Sequence, residues 1–349
     1  MTATLAPARE PGSPAPASSR RLAERVFRIR EVGIVAVLIV FVAVTAAIQP
    51  RFLNSSNIQF VLVDATIYAL LALGETLVVI TRNVDLSVGS VLGISAFACA
   101  KLASAAHGVP LPLVFLAGIG IGLGFGVING LMVALGRVPS LVVTLATLYI
   151  IRGIDVLVVN GGQVVPSSYY PSFLSMSKAT VLGIPDLAIA VAVLVAVGWY
   201  ALRTFRAGRE LYAIGSNPDA ARLAGIPMGK RVFTTFAISG AIAGLAGVLW
   251  ASRYGTVDST AGTSYELQVI AAVVVGGVAI FGGSGSVVGA AIGALLLQTI
   301  NSALYVLGIS PNWDQAIAGF LLILAIVLDR VISVRLTASL RRRSARRGT

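Results

Sequence analysis

Few side chains in this sequence can do covalent chemistry, and several of the charged ones stand in unusual places. His107 is the only histidine and Cys99 the only cysteine among 349 residues. That excludes a histidine-based metal centre or triad and any intramolecular disulfide. The only Gly-Lys pair, Gly229-Lys230, precedes Arg231 and has Ala224 where a phosphate-binding P-loop begins with glycine. The chain therefore has no nucleotide loop of its own. Asp64, Glu75, Arg152 and Asp155 fall inside apolar stretches, where ionisable groups are costly and are functional candidates by default. Arg152 and Asp155 stand one helical turn apart and can neutralise each other. Glu75 can reach headgroups from the inner end of its stretch. Asp64 lies deeper with no partner evident in the sequence, as a proton-coupling carboxylate would. Asn129 and Asn301 are neutral groups able to bind solute hydroxyls or to bridge helices.

Two polar segments stand out from the apolar background. The first is Thr81-Arg82-Asn83-Val84-Asp85-Leu86-Ser87-Val88-Gly89-Ser90. Ser87 can cap the helix that follows, Asp85 suits the positive end of its dipole, and Arg82 can pair with Asp85. A capped turn at the membrane surface explains these residues; a gate built from Asp85, Ser87 and Gly89 is the functional alternative. The second is the loop 203–230, with six of the chain's basic residues between 203 and 231. Asn217 is a good N-cap, Pro218 suits the first helical position, Asp219 adds a negative first turn, and Gly225 ends the helix. A helix over 218–224 follows, with Asp219 and Arg222 on its exposed side and Ala220, Ala221, Leu223 and Ala224 small or apolar. It lacks the Trp or Phe that would hold it to lipid, so it suits docking into a protein groove.

The elements that position these residues are membrane helices. Hydrophobic residues make up 57% of the chain and charged residues 11%, against about a quarter charged in soluble domains; mean hydropathy is +0.91. Ten apolar stretches are long enough to cross the hydrocarbon core: 32–49, 57–80, 87–106, 110–136, 138–159, 185–202, 231–251, 266–282, 285–307 and 313–329. None alternates as a barrel strand does. The expected fold is an all-α polytopic membrane protein. With the N-terminus inside, 21 of the 26 basic residues face the cytoplasm, and only Arg51, Lys101, Arg152, Lys178 and Arg253 do not. This is the positive-inside bias, and ten spans bring the C-terminus back to the same side. It accounts for the net charge of +12 through the lipid bilayer, with no nucleic acid as partner. Residues 1–31 read as a basic cytoplasmic tail, disordered over 1–19 and without a cleaved signal, 32–330 as the membrane domain, and 331–349 as a second basic tail. Ile128-Asn129, Leu135-Gly136 and Pro139 recur as Ile300-Asn301, Leu307-Gly308 and Pro311 on oppositely directed spans. An inverted repeat of two five-helix halves would produce that relation.

Several blocks resemble a known family. Asn83 to Ser90, Pro139 to Gly153, Gly208-Arg209 through Gly225-Ile226, and Gly276-Gly277 with Phe281 to Gly289 resemble, in order, the recurring blocks of permease subunits of monosaccharide ATP-binding-cassette importers of the ribose type. Within that family the resemblance points to the branch handling rhamnose-like deoxysugars or the furanose autoinducer signal. It implies a bacterial inner-membrane subunit that pairs with a second copy or a sister permease. Nucleotide-binding ATPase subunits would sit beneath, an extracytoplasmic sugar-binding protein above, and ATP would be bound by the partner, so the chain itself needs no cofactor and is no enzyme. Gly215, Asn217, Pro218, Asp219, Ala220, Ala221, Arg222 and Gly225 would form the helix that couples to the ATPase. Asp85, Ser87, Gly89, Asn129, Asn301 and Asp64 are the pathway candidates. Arg82-Asn83 stands where many relatives carry Gly-Gly, which makes this turn stiffer than the family pattern. The alternatives are an ion-coupled secondary carrier of small solutes, with Asp64 as coupling site, and a membrane-embedded enzyme, against which the missing catalytic cluster counts.

Overall fold

The computed structural model describes residues 17–105, 109–310 and 312–327, with the backbone alone for 17–30 and 105. His107, Pro311, residues 1–16 and the tail 331–349 lie outside the described residues. Helices α1 (Ala17–Ile48), α2 (Ser55–Ile80), α3 (Val88–Ala105), α4 (Leu111–Ala134) and α5 (Ser140–Val159) form the first half. A short helix α6 (Pro171–Ser175) and a two-residue hairpin, Thr180–Val181 with Ile184–Pro185, occupy the long outer loop. The chain continues through α7 (Asp186–Thr204), α8 (Arg206–Ser216), α9 (Pro218–Leu223), α10 (Met228–Tyr254), α11 (Tyr265–Val275), α12 (Val287–Val306) and α13 (Trp313–Val327). A helix thus forms in each of the ten apolar stretches. Seven are long and apolar enough to cross a bilayer, while α3, α11 and α13 are shorter.

Three boundaries differ from the sequence reading. α1 begins at Ala17, so residues 17–31 of the expected tail, including 17–19 of its expected disordered part, belong to the first helix. The stretch 266–282 is helical only to Val275, because Gly276-Gly277 breaks it and Gly277 takes a φ of 88°. The loop 203–230 holds a second helix, α8, ahead of the expected one. Leu211, Ile214 and Gly215 of α8 are buried while Arg206 and Arg209 stay exposed, a helical spacing that was legible beforehand.

α2 runs through the centre, buried along its whole apolar length. It packs on α11 and α12, as α10 packs on α3 and α4, and α2 and α10 also meet each other. α3 packs on α4 as α11 packs on α12. This doubling matches the inverted five-helix relation suggested by the Asn129 and Asn301 echo. α4 and α10 approach closely. A Cβ added at Gly118, Gly122, Gly126, Gly240 or Gly244 would overlap atoms of the facing helix, backbone carbonyls among them. Gly120 and Gly124, on the other side of α4, have nothing within 4 Å. Small faces of this kind let membrane helices approach to backbone contact.

At the cytoplasmic end, three connections are tied into one block. Arg82, in left-handed backbone at φ 67°, donates from Nε to the Gly215 carbonyl at 2.5 Å and from Nη2 to the Ser216 carbonyl at 2.9 Å. The Gly283 amide donates to the Ile80 carbonyl at 2.9 Å, and the Tyr212 hydroxyl donates to the Gly285 carbonyl at 2.9 Å. Burial pushes the Tyr212 phenol up to about 12. Gly215 is required here, since a Cβ would overlap Ile80 and Gly283 backbone. Glu210 clamps α8 to α10: its carboxylate accepts from Arg206 Nε at 2.7 Å and from Arg231 Nε at 2.5 Å. These bonds, Arg231 first, hold its carboxyl below the usual range.

Two outcomes follow. Gly122→Leu is expected to cost about 1–3 kcal/mol or more through overpacking, while Gly124→Leu is neutral; the buried, single Cys99 reports unfolding through maleimide labelling on heating. Glu210→Gln lowers the same unfolding temperature at neutral pH. Because the folded carboxyl titrates below the unfolded value of about 4.3, the clamp's contribution is complete above that value and is lost as pH falls through the lower folded value. The difference in unfolding temperature between the Glu210→Gln variant and its parent therefore closes on acidification.

Candidate functional site

The exposed cytoplasmic feature is α9. The Asn217 Oδ1 accepts the Ala220 N–H at 3.1 Å, and Pro218 occupies the first turn. At the other end Gly225 takes a φ of 74°. Its N–H donates to the Arg222 carbonyl at 3.0 Å and that of Ile226 to the Ala221 carbonyl at 3.1 Å, the paired bonds of a glycine-terminated helix. The helix therefore forms where its cap residues require, over 218–223. Its orientation corrects one expectation. Ala221 is 3% exposed and faces its own chain, whereas Leu223 is 90% exposed. Asp219, Ala220, Arg222 and Ala224 are exposed around it. Arg222 also lines a cleft with Ala134, Arg137, Ile226, Met228 and Gly229. An apolar residue held out from a well-capped helix, flanked by an acid and a base, is suited to enter a pocket on another protein.

The second feature lies inside the bundle. After α2 the chain turns back inward, so that the Asp85 N–H donates to Glu75 Oε1 at 3.1 Å. Glu75 is fully buried and does not reach headgroups. Asp85 Oδ1 accepts the Ser87 N–H at 3.0 Å and its hydroxyl at 2.6 Å; Ser239 of α10 donates to Asp85 Oδ2 at 3.4 Å. The Ser87 Oγ accepts from Asn129 Nδ2 at 2.9 Å, and Asn129 Oδ1 accepts from Thr147 at 2.7 Å. Ser87 thus spends its hydroxyl on Asp85 and Asn129 in place of capping α3, and Arg82 reaches α8 in place of Asp85. The network joins α2, α3, α4, α5 and α10 around one irregular turn.

An opposing turn descends from the outer side. Val84-Asp85-x-Ser87-x-Gly89-Ser90 reappears as Val257-Asp258-x-Thr260-x-Gly262-Thr263, a repetition the sequence reading missed although it sits at nearly the same spacing as the Asn129 and Asn301 echo. Asp258 Oδ1 accepts the Thr260 N–H at 2.8 Å and its hydroxyl at 2.6 Å, as Asp85 does with Ser87. The two turns meet: a Cβ on either Gly89 or Gly262 would overlap the other's carbonyl region. Two broken segments meeting between two similarly packed sets of helices is an arrangement in which transporters built from inverted repeats place their pathways.

The remaining candidates divide. Asp85, Ser87 and Asn129 are brought into one network, with Gly89 at the meeting point. Asn301, half-buried on α12, stands apart from it. Asp64 has a partner after all, since its Oδ1 accepts from Arg253 Nε at 2.8 Å; the two are 189 residues apart, which no local pattern reveals. Arg152 does not bond to Asp155. Its Nη1 donates to the Ala261 carbonyl at 2.6 Å, bracing the outer turn, and both Asp155 oxygens are buried without a partner among the described residues. No group of three potential metal ligands occurs among the described residues.

Comparison with known proteins agrees with this architecture. A family model described as the permease component of branched-chain amino acid transport systems matches residues 57–326. The ribose import permease of Haemophilus influenzae is 36% identical over 300 residues, covering 85% of this chain and 92% of its own. The autoinducer 2 import system permease of an Enterobacter species is 36% identical, covering 88% of this chain and 89% of its own. The D-allose transport system permease of Escherichia coli is 33% identical, covering 86% and 92%. No solved structure matches. With its apolar helices and basic inner side, the chain belongs to this family of transport permeases, as a multi-pass protein of the bacterial inner membrane.

Proposed function

We propose that this chain is the membrane subunit of an ATP-driven importer that carries a monosaccharide into the cytoplasm by alternating access. The observation that carries the proposal is near-full-length similarity to permeases named for ribose, D-allose and autoinducer 2 import. Those names span several branches at similar identity, so they favour a pentose, hexose or related furanose as a class over any one sugar. The sequence carries no P-loop, so under this reading a separate ATPase would supply the work. A soluble binding protein would deliver the sugar, and a second permease copy or sister subunit would complete the pathway.

The ATPase would grip α9. Leu223 would enter its groove with Asp219 and Arg222 at the rim, while Gly215, Asn217, Pro218, Ala220, Ala221 and Gly225 shape and seat the helix. Motion would pass through α8 to the Arg82 turn and so to Asp85, Ser87, Gly89 and Asn129, which act as the inner gate. An ion-coupled carrier is disfavoured by the Arg253 partner of Asp64, which leaves no lone carboxylate there to load a proton.

Leu223→Asp is expected to lower sugar-stimulated ATP hydrolysis of the reconstituted complex by about tenfold or more, the scale of losing one buried apolar anchor, with Cys99 labelling on heating unchanged. Ala221→Trp lowers that labelling temperature instead. Uptake by vesicles containing this subunit alone, driven by a pH gradient, would count against the proposal. At the gate, removing Asn129 leaves buried groups unpaired at about 1–3 kcal/mol. Asn129→Ala and Thr147→Val are therefore expected to be non-additive by about 0.5 kcal/mol or more in a double-mutant cycle of unfolding, and Asn129→Ala raises ATP hydrolysis without matching transport.

A further inference from the structure

Between mid-depth and the outer end of the bundle, three helices bring aromatic rings and polar heads together at one-turn spacings. α2 contributes Asp64 and Tyr68, α10 contributes Trp250, Arg253 and Tyr254, and α11 contributes Tyr265 and Gln268. Tyr68 and Tyr265 stack with centroids 4.5 Å apart and planes at 13°, and Trp250 lies 4.7 Å from Tyr254. The two pairs converge on one oxygen: Trp250 Nε1–H donates to the Tyr265 hydroxyl at 2.9 Å, and that hydroxyl donates to the Tyr254 oxygen at 3.5 Å. Gln268 donates to Asp314 of α13.

This face is ill suited to lipid, since an ion pair and linked phenol hydroxyls are costly against hydrocarbon. Its bonding is also incomplete. Arg253 Nη2 and Gln268 Oε1 are buried without a partner among the described residues, so one donor and one acceptor gain a hydrogen bond only when a neighbouring group shifts to admit a ligand; the Arg253 guanidinium meanwhile lies over the Phe60 and Tyr254 rings, 4.7 and 5.8 Å from their centroids. Tyr254 is 42% exposed and Trp250 and Tyr265 are half-buried, so the ring edges are reachable. A monosaccharide has an apolar C–H face that packs on aromatic rings and hydroxyls that both donate and accept, which fits this set. A branched-chain amino acid needs separate counter-charges for its ammonium and carboxylate, whereas Asp64 and Arg253 already neutralise each other.

We infer that Trp250, Tyr254 and Tyr265, with Arg253 and Gln268, form a weak monosaccharide-contact site on the outer half of the pathway. This rests on the importer reading above and adds the residues that would select the sugar. Two observations tie the site to the pathway. Tyr265 opens α11 immediately after the outer turn that meets Gly89, and Arg253 and Tyr254 end α10 immediately before that turn.

The chain has three tryptophans, so Trp199→Phe with Trp313→Phe leaves Trp250 as sole reporter. Purified in detergent, this variant is titrated with D-ribose, D-allose, L-rhamnose and leucine into the hundred-millimolar range. The expected result is a saturable change in Trp250 emission with at least one sugar and none with leucine, weakened about tenfold by Tyr254→Ala, as loss of one aromatic contact implies. Tyr254→Phe keeps most of the response. In parallel, uptake of the same solutes is measured in vesicles reconstituted with the partner ATPase and binding protein. If a sugar is imported while Trp250 stays silent to it, or while Tyr254→Ala leaves its emission response unchanged, the contact site is wrong and the importer reading stands. If leucine is imported and none of the sugars is, the reading beneath it fails as well.

Discussion

Backbone that leaves a helix inside a bilayer has no water to satisfy its N–H and C=O groups, so protein must do it. That constraint governs this structure, because the chain leaves helical geometry in several places within the bundle, and two of these turns, at 81–87 and at 255–264, are built alike. Each turn meets the requirement in the same way, with an aspartate accepting the amide and hydroxyl of the residue two positions on. The remaining groups need neighbours at close range. For the inner turn Glu75 accepts the Asp85 N–H, Ser140 accepts the Val84 N–H and Thr144 donates to the Val84 carbonyl, while Ser239 and Asn129 bond its side chains; Arg152 donates to one carbonyl of the outer turn.

Such neighbours can come close only if the helices do. The glycines facing one another between α4 and α10 bring those two helices to backbone contact. α4 carries Asn129 and α10 carries Ser239, so this contact also sets the spacing of the polar network. The same economy of volume recurs between α11 and α12, where Gly276, Gly289 and Gly293 leave no room for a Cβ. Glycine content in this protein is thus a packing property on one helix face and unconstrained on the other, as Gly120 and Gly124 show.

From α9 to mid-depth the path is continuous. α9 follows α8 directly, α8 is held to α10 by Glu210 and to the turn after α2 by Arg82, and that turn carries Asp85 into the network with Glu75 and Ser87. Under the proposed function, a partner pushing on Leu223 would act on a short, hydrogen-bonded linkage whose far end lies at the Gly89 and Gly262 contact. Arg82 has a direct role in this linkage, through its bonds to the Gly215 and Ser216 carbonyls.

Much was legible in the sequence because it depends on local chemistry. Apolar length placed the ten helices, the charge asymmetry oriented them, and Asn217, Pro218 and Gly225 bounded α9, since caps act within a few residues of themselves. Other features were decided only by tertiary structure. The partner of Asp64, the reach of Arg82 to α8, the burial of Ala221 with Leu223 turned outward, and the convergence of Trp250, Tyr254 and Tyr265 all join helices far apart in the chain. Helical periodicity tells which residues share a face, and hydrophobicity tells that a face is buried, but neither specifies which other helix covers it. That choice belongs to the packing of glycine-lined surfaces in three dimensions, where the approach of two backbones determines which polar groups come within hydrogen-bonding distance.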